Sequence, residues 1–183
     1  GVTRERWVRL LELSEVYPIM APAIGLHPYF VDQHSVNDLE VMSKLLSQRN
    51  DIIAVGEAGL DATIGNMAFQ IQLLEMQIGV ANHFRLPLIM HSRQTHPQLL
   101  AVLKKTPLQV GGVIHGFSGS YEQAMEFWQQ GVYLGCGGVI TYDRANKTRR
   151  AFSRLPLESV VIETDSPDMP PCGKQGERNT PLN

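Results

Sequence analysis

Five apolar runs in the 183-residue chain end in a residue able to bind a metal or move a proton: His27 in PIMAPAIGLHP, Glu57 with Asp61 in DIIAVGEAGLD, His91 in LPLIMHSR, His115 in VGGVIHGFS, and Asp165 in LESVVIETDSP. Each has an ordinary explanation alone. A histidine ending one strand is as readily a hydrogen-bonded core residue, Glu57 could pair with Arg93, Asp165 could hold an Asx turn, and His27 before Pro28 could be a turn residue. Recurrence weighs against taking these readings together. Two imidazoles and two carboxylates at equivalent strand ends suit a hard divalent ion completed by water. Asp165, where the last strand meets a Pro-rich loop, is suited to bind metal and to take a proton from the attacking water. Asp61, Glu163 and Asp168 rank as supporting or loop-structuring acids, and the Arg93 guanidinium offers a bidentate fork to a phosphate or carboxylate. The pattern is that of a metal-dependent hydrolase with Glu57, His91, His115 and Asp165 as ligands.

Such residues need strands that deliver them to one edge. Six runs, about 19–26, 51–56, 86–91, 110–115, 132–140 and 158–164, are apolar through most of their length, as strands buried on both faces are. Between them lie helix signals: Ser35 with Asp38, Thr95 with Gln98, and Ser120 with Gln123, each before an apolar periodic stretch. The longest helix is expected over about 67–85, with Met67, Ile71, Leu74, Ile78 and Ala81 on one stripe. Strand and helix alternate as in βα units. The expected fold is α/β, a TIM-type (β/α) barrel, whose ligands gather at the C-terminal ends of its strands. Six strands are fewer than eight, so N-terminal strands are expected to lie outside this sequence, and residues 1–183 are read as one partial-barrel hydrolase domain; an open six-stranded sheet is the rival. Residues 166–183, SPDMPPCGKQGERNTPLN, have no apolar period and are expected to form an active-site loop.

A net charge of −2 with 43% hydrophobic and 19% charged residues is ordinary for a globular chain and excludes a broad basic coat for polyanions. Cys136 and Cys172 fit neither a zinc ribbon nor a bridge framework, which points to a reducing cytoplasm. No apolar run approaches the ~20 residues that span a bilayer, so no membrane association is expected. With neither GxGxxG opening a helix nor GxxxxGK, no nucleotide cofactor is expected. Arg144, Lys147, Arg149, Arg150 and Arg154 form a local basic stretch, read first as a solvated helix face beside loops that often hold phosphate in barrels.

In order, GLHP, AVGEAGLD, LPLIMHSR, VIHGFSGS, LGCGGVITY and ETDSPDMP resemble the TatD family of metal-dependent deoxyribonucleases, and ITYDRANKTR with PDMPPCGKQGERNTP looks closest to its less-studied branch. The resemblance covers almost the whole chain. It implies an amidohydrolase-type TIM barrel that hydrolyses phosphodiesters with two divalent ions, Mg, Mn or Zn, trimming DNA from single-stranded or 3′ ends. It also implies that Glu57 bridges the ions, His91 and His115 bind one, Asp165 binds the other and acts as base, and His27 lies near the substrate phosphate. Family members usually begin with a strand ending in a His-x-His pair; no such pair occurs here, and it is expected to lie outside this sequence. Two alternatives use the same residues: an amidohydrolase-type enzyme cleaving a small amide, ester or lactone, and a non-catalytic, metal-poor scaffold.

Overall fold

The computed structural model describes residues 1–183, and all six expected strands form, with helices between them. The chain divides into two compact units, Gly1–Gly112 and Val113–Asn183. The first opens with α1 (Arg4–Val16), capped by the Thr3 hydroxyl, which accepts from the Arg6 N–H. Its strands β1 (Ala23–Ile24), β2 (Ala54–Asp61) and β3 (Leu88–Arg93) pair parallel in chain order. Helix α2 (Asp38–Gln48) connects β1 to β2, α3 (Met67–Phe84) connects β2 to β3, and α4 (His96–Lys105) follows β3. The core is drawn from both layers: Ile24, Val55, Leu60, Leu88 and Met90 from the strand segments and Trp7, Met42, Leu74 and Ile78 from the helices are all buried. Burial of each such side chain stabilises the fold by about 1.5–3 kcal/mol. The Trp7 indole N–H meets the need of a buried donor by donating to the Gly25 carbonyl at 3.0 Å.

In the second unit, which takes up within β4 (Gly112–Ile114), come α5 (Tyr121–Trp128), β5 (Val132–Cys136), α6 (Asn146–Phe152) and β6 (Val160–Ile162). β5 and β6 pair parallel, with Leu134 opposite Val160. β5 stops at Cys136, short of the expected 140, because Gly137 and Gly138 lead into a 3-10 turn over Gly138–Thr141. After Ile162 there is neither helix nor strand, as the composition of 166–183 requires. No helix is long and apolar enough to cross a membrane.

The helix starts follow the sequence signals unevenly. Ser120 and Gln123 make the full reciprocal capping box. Asp38 accepts from the Ser35 N–H at 2.8 Å, one arm of such a box. Thr95 caps nothing; its hydroxyl donates to the Leu60 carbonyl at 2.9 Å and so ties the start of α4 to β2.

Helix α3 carries the largest departure. Its buried face is Gln70, Leu73, Leu74, Gln77, Ile78 and Ala81, while Met67 and Ile71 of the expected stripe are half-buried. The two glutamines, each 1% exposed, replace apolar residues because each side-chain amide pairs with a strand-end peptide. Gln77 Oε1 accepts from the Leu26 N–H at 2.7 Å and its Nε2 donates to the Leu26 carbonyl at 3.2 Å. Gln70 repeats the pattern on Asp61, at 2.8 and 3.1 Å. Gln77→Leu would leave both polar groups of Leu26 buried without partners, at about 1–3 kcal/mol each. We expect urea unfolding of this variant to report a loss on the order of 2–4 kcal/mol, and a loss below half that range would show that the backbone finds other partners.

Candidate metal centre

In the first unit, the expected residues His27, Glu57, Asp61 and His91 meet. Glu57 lies inside β2 rather than at its end, which corrects the expectation that it closes the IIAVG run. The strand continues through Ala58, Gly59 and Leu60, and it is Asp61 that ends it. Glu57 still faces the site because the pairing with β3 shifts register between Val55 and Ala58, and a bulge of this kind re-aims a side chain. Close backbone approach makes this possible. A Cβ on Gly59, at φ 141°, would fall 2.0 Å from the His91 carbonyl oxygen.

The donor atoms of His27, Glu57 and His91 lie within 4.8 Å of one another. His27 Nδ1 accepts from the Tyr29 N–H at 3.0 Å. Its hydrogen must then sit on Nε2, which donates to Glu57 Oε1 at 2.9 Å. Held this way, His27 offers an anion a hydrogen bond rather than a metal a lone pair. His34, not singled out from the sequence, lies beneath it with Nε2 2.9 Å from the His27 carbonyl oxygen. Burial lowers the His34 pKa, and the bond to His27 only partly offsets this.

His91 is arranged the other way. Its Nε2 lies 3.2 Å from Asp61 Oδ2, a carboxylate that is 1% exposed and whose Oδ1 accepts from the Thr63 N–H at 2.8 Å and from the Thr63 hydroxyl at 2.6 Å. Burial opposes ionisation of Asp61, but the bonds from Thr63 and His91 outweigh it and hold the carboxyl below its usual range. An ionised Asp61 can only accept, so the hydrogen sits on His91 Nε2 and the Nδ1 lone pair faces Glu57 Oε1 at 3.6 Å. That is too long for a hydrogen bond. It suits two ligands of one ion, since atoms each about 2.1 Å from a common centre stand about 3.0–3.6 Å apart. A carboxylate behind a ligating imidazole is the usual support for such a site. Arg93 is exposed at the end of β3, and Glu57 and Asp61 are met by imidazoles rather than by its guanidinium.

In the second unit, His115, Glu163 and Asp165 bring ligand atoms within 4.8 Å of one another. His115 Nδ1 stands 3.5 Å from Asp165 Oδ1. Glu163, ranked from sequence as a supporting acid, belongs to this cluster, and its buried Oε1 has no hydrogen-bond partner. A buried carboxylate oxygen left in that state is costly unless a cation or proton meets it. It is packed against Gly137, where a Cβ would approach to 1.9 Å. Asp165 has φ 53°, in the left-handed region. Its loop is fastened by Asn179, 3% exposed, whose Nδ2 donates to the carbonyls of Thr164 at 2.7 Å and Asp168 at 2.8 Å. Asp168 structures the same loop by donating its N–H to the Asp165 carbonyl at 2.8 Å. Asn179 was invisible to sequence reasoning because its work is done through backbone carbonyls of a loop without period. In both clusters the mixed imidazole and carboxylate donors fit a divalent ion such as Mg, Mn or Zn.

The family model described as TatD related DNase matches residues 1–183. This chain belongs to the TatD family. Among TatD relatives, a Haemophilus influenzae protein described as an uncharacterized metal-dependent hydrolase is 47% identical over 165 residues, covering 86% of this chain and 63% of that protein. The solved structure of YjjV, a TatD homolog from Escherichia coli, is similar with a TM-score of 0.93 and 44% identity, over 99% of this chain and 71% of that one. A Citrobacter koseri relative, 29% identical over 167 residues covering 87% of this chain and 63% of its own length, is named 3′-5′ ssDNA/RNA exonuclease TatD. The chain thus spans just under two thirds of two of these proteins and about seven tenths of the solved one. The fold class is that expected from the sequence, the α/β fold of the TatD barrels.

Proposed function

We propose that the whole protein is a divalent-metal-dependent phosphodiester hydrolase, a 3′ to 5′ deoxyribonuclease acting on single-stranded DNA or 3′ ends. The observation that carries this reading is His91, turned by Asp61 so that its Nδ1 faces Glu57 at 3.6 Å, a separation that suits shared ligation and not a hydrogen bond. Membership of the TatD family, and the exonuclease name of one relative, direct the choice of bond toward phosphodiesters. His91 and Glu57 in the first unit and His115 and Asp165 in the second are the ligands of two ions. Bound ions would lower the pKa of the attacking water and neutralise charge on the phosphoryl oxygens. Asp165 accepts the proton, as a carboxylate beside an imidazole can. His27 carries its hydrogen on Nε2, where Glu57 Oε1 now accepts it at 2.9 Å, and would turn it to a phosphate oxygen once an ion engages that carboxylate; the exposed Arg93 offers a second contact farther out.

The test is divalent-ion-dependent nucleotide release from single-stranded DNA by the purified whole protein. Wild type should require Mg, Mn or Zn and stop when a chelator is added. His91→Ala should lose at least a hundredfold at fixed metal concentration and recover partly at higher metal, since it removes a ligand and leaves the proton acceptor. Absence of release by folded wild type under every metal would rule out the nuclease reading.

A further inference from the structure

We propose that the cleft between α5 and α6 is a second nucleic-acid contact, a groove that binds backbone phosphates of the substrate strand away from the ion ligands; the proposal rests on the nuclease reading above. The basic stretch is not one solvated face but three different things. Arg149 is structural: its guanidinium donates to the carbonyls of Ile140, Tyr142 and Asp143 and to Asn146 Oδ1, at 2.6 to 3.1 Å. Arg144 lies over the Tyr142 ring, 4.8 Å from its centroid. Lys147, Arg150 and Arg154 instead line a cavity of about 310 Å³ with Ser120, Tyr121, Glu122 and Ala151.

Spacings of three and four residues put these three cations along one side of α6 and just past its end. Arg154 is already positioned, 4.0 Å over the Tyr121 ring, while Lys147 and Arg150 are exposed. The only acid in the wall, Glu122, is bonded to its own backbone N–H and to Ser120 at the start of α5, and its charge is also felt by Arg154 and Lys147. The cavity therefore presents three cations against one carboxylate, an excess of positive charge on a chain whose net charge is −2. Cations beside an aromatic ring suit a nucleic-acid strand, whose phosphates take the charges and whose bases take the ring. The groove also belongs to the connection that carries a proposed ligand. Between His115 and Ser120, Phe117 packs edge-on to Phe152 at 6.0 Å and Ser118 Oγ lies 3.3 Å from Thr148 Oγ1, which fastens α6 to that connection.

The experiment compares wild type with the combined variant Lys147→Ala, Arg150→Ala, Arg154→Ala, and with Glu122→Gln. Binding of a labelled single-stranded oligonucleotide is followed by fluorescence anisotropy in chelator across a salt series. Metal-dependent hydrolysis of bis(4-nitrophenyl) phosphate, which has a single phosphate and no further strand to place in the groove, is measured alongside. The triple variant should bind the oligonucleotide about ten to a hundred times more weakly and with a salt slope shallower by about 2, because each lost phosphate contact removes about 0.7 from the slope for a single strand. Its hydrolysis of the small diester should equal wild type. Glu122→Gln should tighten oligonucleotide binding severalfold. Unchanged binding in the triple variant, or no tightening in Glu122→Gln, overturns the groove. If wild type binds DNA through these residues but hydrolyses no diester with any metal, the groove stands and the nuclease reading fails.

Discussion

Asp165→Asn should abolish metal-dependent diester hydrolysis, by about 10²–10⁴-fold in kcat, with little change in stability. The substitution is clean for a conformational reason. Asp165 has φ 53°, and asparagine is among the few residues besides glycine that enter the left-handed region readily, so the backbone held by Asn179 has no cause to move. What is lost is the basicity of the carboxylate. The amide can hold its neighbours by hydrogen bonds but cannot take a proton near neutral pH, and it is a poorer ligand for a hard ion. Alanine at the same position would add strain at positive φ and confuse the two effects. Rates at saturating metal, with a thermal melt within about 2 °C of wild type, form the check. A variant that keeps the wild-type rate would remove Asp165 from the reaction and leave Glu163, which lies in the same cluster, as the candidate proton acceptor.

Gly59→Ala is expected to be the most damaging single methyl in the first unit. The added Cβ would lie 2.0 Å from the His91 carbonyl oxygen and 2.8 Å from its nitrogen, both backbone atoms, so no side-chain rotation relieves the clash. Its φ of 141° adds a conformational cost of its own. β2 and β3 must separate at the point where they present Glu57 and His91. We expect a loss on the order of 3–5 kcal/mol, or failure to accumulate as folded protein. Gly79 gives the opposite sign in the same unit. It lies exposed in the interior of α3, a Cβ there meets nothing within 4 Å, and alanine should stabilise by about 1 kcal/mol through helix propensity. Chemical denaturation of both variants measures the contrast, and a neutral Gly59→Ala would mean that the two strands can part without cost.

Much of this was legible in the sequence because burial on both faces leaves a plain signal. LPLIM has little reason to be apolar throughout unless it opens an inner strand, and β3 begins within it with Leu88 and Met90 buried. LESVVI also yields a strand, β6, but Val161 and Ile162 there are exposed, against the expectation of burial on both faces. The ligand candidates were legible for a related reason, since an imidazole or carboxylate closing such a run needs a partner. Glu57 was placed less well. The run continues past it as apolar residues, AGL, and a bulge set by cross-strand register has no signature in the bulged strand alone. Gln70 and Gln77 escaped because a polar residue within a helical stripe reads as an interruption of the core, whereas here each is buried by virtue of its two backbone bonds. Thr95 misled in the reverse direction: its type and position predict a cap, but a nearer carbonyl on Leu60 took the hydroxyl.

The paired glutamines of α3 make that helix a ruler. Seven residues separate Gln70 from Gln77, a rise of about 10.5 Å and almost two full turns, and that length sets where the peptide before His27 stands relative to the end of β2. The distance between His27, the proposed substrate contact, and Asp61, which orients the proposed ligand His91, is thus written in helical pitch rather than in loop length. A chimera that transplants another crossover helix into this position would have to keep the seven-residue interval. One residue more or fewer would swing the second glutamine about 100° around the axis, leaving the Leu26 peptide ungripped and the spacing of the two sites unset.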